Sequence, residues 1–164
     1  MSEFSYHQAS SEELERIWAK DIADNPGDER YVKWREEFIE LNRIGRAVTF
    51  VVTADGEPVG QGTLMLSPEC PAVGGRLRLA DNISVGYIST LRIDCRFRGE
   101  GHVSALLHSM EAHARRLRLH ALTIGVEADK PRIISIYFHW GFTAYTLYEV
   151  DNGIPVLYYK KQLD

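Results

Sequence analysis

The chain has 164 residues, of which 45% are apolar and 26% charged, and its net charge is −4. This length suits one domain with a sizeable core rather than two, and the charge gives no general reason to bind nucleic acid. The two cysteines, Cys70 and Cys95, are too few for a disulfide framework. Neither a signal peptide nor an apolar run of the roughly 20 residues that span a bilayer is visible. We therefore expect a cytoplasmic protein without a membrane segment.

The N-terminal part of the chain predicts a short strand and two amphipathic helices. Phe4–Ala9 alternates weakly, as a strand does, and Ser10 with Glu13 has the spacing of a capping box. The buried faces of the helices are predicted to consist of Leu14, Ile17, Trp18 and Ile22, and of Tyr31, Trp34, Phe38 and Leu41. Asn25-Pro26-Gly27 is expected to separate the two helices, and Gly45 to end the second.

The middle of the chain predicts strands at Ala47–Thr53, Pro58–Leu66 and Asn82–Ile93. The turn signal Asp55-Gly56 joins the first two strands into a hairpin. A loop rich in proline and glycine, Ser67–Gly75, precedes the third strand. Gly86 within that strand indicates a bulge or a close approach of two backbones.

The C-terminal part contains the clearest helix, Gly99–Arg118, whose apolar residues recur at helical spacing. A short buried strand, a second helix and a final hairpin follow, predicted at Ala121–Val126, at Pro131–His139, and at Phe142–Val150 with Ile154–Tyr159. This order of elements predicts a mixed sheet of the α/β (α+β) class, with residues 1–164 forming one domain.

The segment between Asn82–Ile93 and the clearest helix has the composition of a phosphate-binding loop. The first amides of a helix have no intrahelical partner, and the helix dipole adds positive character there. Gly99 and Gly101 allow backbone amides to surround an anion, and Arg96 and Arg98 add two charges. The P-loop pattern is absent, and Ser104 stands where a Rossmann fingerprint needs its third glycine.

The spacing Arg96-x-x-Gly99-x-Gly101 resembles the [Q/R]-x-x-G-x-[G/A] signature of the GNAT superfamily of N-acetyltransferases, whose loop binds the pyrophosphate of acetyl-CoA. Tyr137-x-x-x-Gly141-Phe142 is similar to the second signature of that family, in which the tyrosine faces the CoA sulfur. The resemblance covers Asn82–Tyr159. It implies a GNAT-like acyl-CoA N-acyltransferase fold in a single domain, acetyl-CoA as cosubstrate and an amine as acceptor.

The resemblance also implies a set of cofactor-binding residues. They are Leu91, Arg92, Ile93, Arg96, Phe97, Arg98, Gly99, Glu100, Gly101, His102, Val103 and Lys130. Lys130 departs from the family, which often has an asparagine at this position, and it could reach a CoA oxygen as a point charge. The amides of Leu91–Ile93 are expected to hold the thioester and its developing oxyanion if the strand is bulged there.

Two further roles concern protons. Tyr137 is expected to protonate the departing thiolate, because the pKa of a phenol, about 10, lies a little above that of a thiol, about 8.5. Glu127, just past a strand end, is the best-placed candidate for the general base. Glu149, Asp94 and His7 remain alternatives for that role.

Several interpretations stay open at this point. The leading one is direct acetyl transfer to an amine of a small molecule or peptide. The others are a non-catalytic sensor of acyl-CoA and a nucleotide-binding interaction protein. No metal site is expected, because no two histidines are paired at i, i+4. The second helix carries three glutamates that are either an ordinary solvated face or a negative surface that attracts a cationic amine: Glu36, Glu37 and Glu40. Homodimers are common in families of this kind.

Overall fold

The computed structural model describes Met1–Asp164 and contains seven strands and four α-helices. The strands are β1 (Phe4–Gln8), β2 (Ala47–Ala54), β3 (Glu57–Met65), β4 (Val85–Ile93), β5 (Ala121–Glu127), β6 (Ala144–Asp151) and β7 (Ile154–Gln162). The helices are α1 (Ser11–Asp24), α2 (Glu29–Arg43), α3 (His102–Arg116) and α4 (Pro131–His139). None of these helices combines the length and the apolar character that a membrane crossing requires.

The seven strands belong to one sheet in the order β1-β2-β3-β4-β5-β7-β6. β4 and β5 are parallel, whereas the pairs β1/β2, β5/β7 and β6/β7 are antiparallel. A parallel pair needs a crossover connection, which α3 provides between β4 and β5. The predicted mixed α/β fold class is therefore confirmed.

The chain divides into two compact units. The first consists of Met1–Leu64 and Thr90–Met110, and the second of Met65–Ser89 and Glu111–Asp164. In the first unit every residue of β2 is buried, and Trp18 of α1 stacks on Phe38 of α2 with ring centroids 4.9 Å apart. The predicted capping box at the start of α1 is present.

The second unit contains the turn that precedes β4. The Asp81 carboxylate accepts hydrogen bonds from the backbone amides of Ile83, Ser84 and Val85 and from the Ser84 hydroxyl. Burial opposes ionisation, but these bonds prevail and lower the pKa of Asp81 to about 2. Because Asp81 holds the following residues in a turn, the strand begins at Val85 rather than at Asn82 as predicted.

The start of α3 also differs from the sequence prediction, for a reason of backbone geometry. Gly99 and Gly101 adopt φ values of +78° and +88°, which a right-handed helix excludes, so α3 begins at His102. Within β4, Thr90 has a left-handed backbone with φ +53°, and Gly86 pairs with Leu122 in a regular register.

β6 is the last strand of the sheet and carries an irregularity. Its pairing with β7 shifts between Tyr145 and Leu147, which leaves Thr146 without a partner in the register. The hairpin turn itself follows the prediction, since Asn152 and Gly153 both have positive φ values, +50° and +78°.

A buried ion pair in the second unit generates a stability prediction. Glu111 of α3 is 3% exposed, and Lys161 of β7 donates to its carboxylate at 2.7 Å, with Arg115 at 3.9 Å. Lys161→Met should lower the free energy of unfolding by about 3 kcal/mol, because a buried carboxylate loses its closest cation. Urea denaturation measures this change.

The double variant Glu111→Gln/Lys161→Met provides the control. It removes both charges together and should be more stable than Lys161→Met alone. A double variant less stable than the single one would show that the ion pair does not account for the loss.

Candidate active site

The end of β4 is held by one carboxylate. Asp94 is 8% exposed at its side chain and accepts from the Arg96 backbone amide at 3.0 Å and from its guanidinium at 2.9 and 3.1 Å. Lys20 of α1 donates to the same carboxylate. The hydrogen bonds from Arg96 and Lys20 hold the pKa of Asp94 well below the usual range. Asp94 therefore connects α1, the strand end and the following loop, and its low pKa makes it a poor general base.

The two glycines of the loop have the geometry that an anion cradle needs. A Cβ built on Gly99 or on Gly101 would meet no atom within 4 Å, so their backbone faces open space. The Ala105 amide donates the first helical hydrogen bond, to the Gly101 carbonyl at 3.0 Å. The amides that precede Ala105 in the first turn of α3 therefore have no partner within the helix. The loop thus offers unpaired backbone amides beside open space, the arrangement that anion sites at helix N-termini use.

Aromatic side chains anchor the start of α3. His102 is 6% exposed, and its Nδ1 lies 2.7 Å from the hydroxyl of Tyr6 on β1. Its ring lies 4.1 Å from that of Phe4, and Phe97 contacts both Phe4 and His102 edge-on. The predicted residues Phe97 and His102 therefore hold the loop against β1. Glu100 is exposed, with its carboxylate 3.6 Å from His102 Nε2.

The strand residues before the loop have separate environments. The guanidinium of Arg92 pairs with Asp21 of α1 and lies 5.2 Å above the ring of Trp18. A cavity of about 250 Å³, lined by Arg92, Ile93 and Arg98 among others, adjoins this end of α1. Thr90, immediately before Leu91, has a left-handed backbone with φ +53° within the continuous strand β4. The role of the Leu91–Ile93 amides at the thioester stays a prediction.

The second unit contains Glu127, Lys130 and Tyr137. Lys130 Nζ lies 3.1 Å from the Glu127 carboxylate, so the structure brings these two predicted residues together. Tyr137 is half-buried on α4, and burial raises the pKa of its phenol, which keeps its proton in place. The Tyr137 ring lies 6.0 Å from that of Trp140 and 6.4 Å from that of Phe142.

The strand register places α4 and Glu127 on opposite faces of the sheet. Phe138 of α4 packs edge-on against Tyr159 of β7 at 5.0 Å. Glu127 is paired with Val156, and positions 156 and 159 differ by an odd number, so they point to opposite faces. A proton donor on α4 and a base at Glu127 would therefore act from opposite sides of the sheet.

The remaining base candidates are occupied. The Glu149 carboxylate accepts from the Tyr158 hydroxyl at 2.6 Å and pairs with Arg76. These two bonds lower the pKa of Glu149. His7 is bonded to Glu13 at 2.8 Å. Sequence reasoning assigned no structural role to Asp94, Lys20 or Tyr6, because their partners are distant in the chain.

The low pKa of Asp94 generates a prediction about stability and pH. The unfolded carboxyl titrates near 3.9 and the folded one lower, so Asp94 contributes fully above about pH 4 and loses its contribution as the pH falls towards the folded value. Asp94→Asn should be less stable than the wild type at neutral pH, and the difference should shrink below about pH 4. Unfolding in urea across this range measures it.

An exposed ion pair serves as the control. Glu40→Gln breaks the contact with Arg43 on the surface of α2, which should change the stability little at any pH because both side chains are solvated. A difference for Asp94→Asn that stayed constant down to pH 2 would contradict the assigned ionisation.

Comparison with known proteins adds to this geometry. The model of the Acetyltransferase (GNAT) family matches residues 8–142. No curated protein matches the chain. An N-acetyltransferase from Staphylococcus aureus Mu50 is 20% identical, with a TM-score of 0.69, over 99% of this chain and 100% of that one.

Two Salmonella typhimurium structures are also similar in fold. The protein yncA, solved with its cofactor acetyl-CoA, is 17% identical with a TM-score of 0.67, over 98% of this chain and 94% of that one. An acetyl transferase that modifies the N-terminal serine of ribosomal protein L7/L12 is 17% identical with a TM-score of 0.70, over 98% and 95% of the two chains. With a family match over most of its length, this chain belongs to the GNAT acetyltransferase family.

Proposed function

We propose that the chain transfers an acetyl group from acetyl-CoA directly to an amine. The observation that carries this proposal is the loop that opens α3, where Gly99 and Gly101 have left-handed backbones facing open space beside Arg96 and Arg98. Membership of the acetyltransferase family and the acetyl-CoA bound in one structural relative support it. We further propose that residues 1–164 act as one domain.

In this proposal the loop binds the pyrophosphate of the cosubstrate. The amides between Gly99 and Val103 donate to the phosphate oxygens, and Arg96 and Arg98 supply positive charge. Arg96 is 67% exposed, so it can turn from Asp94 towards a phosphate while Lys20 keeps the carboxylate paired. Phe97, Glu100 and His102 shape and anchor the loop. Lys130 contributes a further cation on the second unit.

Acetyl-CoA, when bound, supplies the acetyl group as a thioester. The amides of Leu91–Ile93, which follow the left-handed backbone of Thr90, donate to the carbonyl oxygen as it gains negative charge. Tyr137 donates its proton to the departing sulfur, and its raised pKa means that it carries that proton at neutral pH. Glu127 lies at the end of β5 on the face of the sheet opposite α4, so in this proposal it accepts the proton of the amine through a water rather than directly.

A non-catalytic sensor of acyl-CoA is the second candidate. It is favoured by the ion pair between Glu127 and Lys130, because that pair occupies the carboxylate proposed as the base. Turnover separates the two candidates, since a sensor binds acetyl-CoA without releasing a thiol. We also propose a cytoplasmic location, where the thiols of Cys70 and Cys95, which form no disulfide in the structure, stay reduced. A homodimer is the assembly we propose.

The first functional prediction concerns binding. Acetyl-CoA should raise the melting temperature of the wild type, because it binds only the folded state. Gly101→Glu should abolish this shift, because a carboxylate would occupy the phosphate position. Thermal unfolding with and without acetyl-CoA measures both effects.

Gly56→Glu is a matched control. Gly56 lies in the turn between β2 and β3 with φ +85° and open space around its Cβ position, so the substitution imposes similar backbone strain elsewhere. It should keep the acetyl-CoA shift. If Gly101→Glu also kept it, the loop would not be the phosphate site.

The second functional prediction concerns the proton donor. Tyr137→Phe keeps the ring and removes the hydroxyl, so kcat should fall by about 10²–10⁴-fold while the affinity for acetyl-CoA changes little. Tyr145→Phe alters an exposed tyrosine, 61% accessible, and should leave kcat unchanged. Release of the CoA thiol measures kcat. An unchanged kcat for Tyr137→Phe would assign this protonation to solvent.

A further inference from the structure

The second unit contains an open cavity on the face of β7 that points away from Glu111 of α3. Lys161 donates to Glu111, so the next residue in the strand, Lys160, points to the other face. Lys160 is paired directly with Thr123 of β5, and their side chains therefore share this face. A cavity of about 490 Å³ adjoins Lys160 there, and its volume lies in the range that small organic ligands occupy.

A buried hydrogen bond brings a second cation to the same cavity. Thr123 is fully buried, and its hydroxyl donates to the carbonyl of Leu79 at 2.9 Å. Arg78 precedes Leu79 in a turn that the Leu79 amide closes on the Arg76 carbonyl, also at 2.9 Å. The segment before β4 is thereby fixed to the strand residue that pairs with Lys160. Arg78 and Lys160 accordingly both line the cavity.

His120 is the third nitrogen-bearing side chain of the cavity. It lies immediately before β5, where its amide donates to the Ser84 carbonyl at 2.7 Å and its carbonyl accepts from the Leu163 amide at 2.8 Å. These two bonds fix the backbone, while the imidazole has no partner and lines the cavity. Gln162, two residues beyond Lys160 and on the same face, adds a side-chain amide to the lining.

The charges that line this cavity are unbalanced. Arg78, Lys160 and His120 belong to the lining, but no aspartate or glutamate does. Neither Arg78 nor Lys160 forms an ion pair, although the acidic residues of the chain outnumber its lysines and arginines by 23 to 19. Arg76 and Lys161, which lie close to them in sequence, are both paired with glutamates. The two unpaired cations are therefore available to a negatively charged ligand.

We propose that this cavity binds a phosphate group, either free or carried by a small organic molecule. The guanidinium of Arg78 donates two parallel N–H bonds to the phosphate oxygens, and the ammonium of Lys160 donates a third. His120 and Gln162 offer further nitrogen donors. A dianion balances the two fixed cations, and the volume leaves room for an organic substituent.

This site is independent of the proposed acetyl transfer. Every residue that lines the cavity belongs to the second unit, whereas the glycine loop proposed for the cosubstrate belongs to the first. Binding at the two places can therefore be measured separately, because each has its own backbone amides to report it.

The test follows amide resonances by NMR while inorganic phosphate is added to the full chain. The solution is kept at constant ionic strength and at about pH 7.5, where a phosphate monoester carries close to two charges. The resonances of residues 120–123 and 160–162 should shift and reach saturation. Sodium chloride at the same ionic strength should leave them unchanged, because general screening is not binding.

Three variants assign the binding to particular side chains. Lys160→Met keeps the aliphatic stem and removes the charge, so the dissociation constant for phosphate should rise at least about tenfold. Arg78→Met should have a similar effect, and it decides the matter if Lys160→Met lowers the melting temperature, because Arg78 is exposed. Arg132→Met is the matched control. It removes an exposed cation from α4, which packs on the Tyr159 face of β7, and should leave the affinity unchanged.

Glycerol 3-phosphate and glycerol identify the source of the phosphate. Tighter binding of glycerol 3-phosphate than of inorganic phosphate would support a monoester, and equal or weaker binding would support the free ion, while glycerol alone should cause no shift. Failure of these resonances to shift and saturate, an equal effect of chloride, or an equal loss in Arg132→Met and Lys160→Met would overturn the site. Absence of acetyl-CoA binding alone would overturn the proposed function and leave this site standing.

Discussion

The carboxylate of Asp94 is the constraint on which the geometry of the loop depends. It receives Lys20 from α1 and both the backbone and the side chain of Arg96 from the turn after β4. These three donors come from α1 and from the turn after β4, and each hydrogen bond to the buried carboxylate has a preferred direction. Together the three bonds therefore fix the positions of those parts. The strand end, the turn and the helix that precedes them in sequence are thereby set relative to one another. The strand end and the turn held by Asp94 thus give Gly99 and Gly101 a fixed position.

In the second unit, strand register determines which polar side chains lie on the same face of the sheet. A shift of one residue between β5 and β7 would move Lys160 to the face of the sheet opposite Thr123. The register is fixed by shape as well as by hydrogen bonds, because the Tyr158 ring fits only against Gly125. Packing that serves stability thus also determines which polar groups share a face.

The sequence predicted the order of the elements, the mixed sheet and the family, because these depend on local patterns. Amphipathic spacing identifies α3, and the Asn152-Gly153 pair identifies the last turn. The start of β4 was misplaced because the side chain of Asp81 folds back on three following amides. No periodic pattern reports such a bond.

Of the candidate site, the sequence identified the glycine loop but not what holds it. Tyr6 precedes His102 by almost a hundred positions, and Lys20 precedes Asp94 by more than seventy. Contacts at such separations depend on the assembled sheet. The pairing of Glu127 with Lys130 spans only the tight turn between β5 and α4, which the Lys130 amide closes on the Glu127 carbonyl at 3.1 Å.

The irregular pairing of β6 has a consequence for the behaviour of the protein in concentrated solution. As the last strand, β6 presents a row of backbone donors and acceptors to which another extended chain could add. Exposed apolar side chains favour the addition of another strand, and Tyr148 and Val150 of β6 are more than half exposed. The displaced Thr146 breaks the row and increases the local twist. A flat second strand cannot follow that edge along its whole length, so the same hairpin that displays an aromatic surface resists edge-to-edge aggregation.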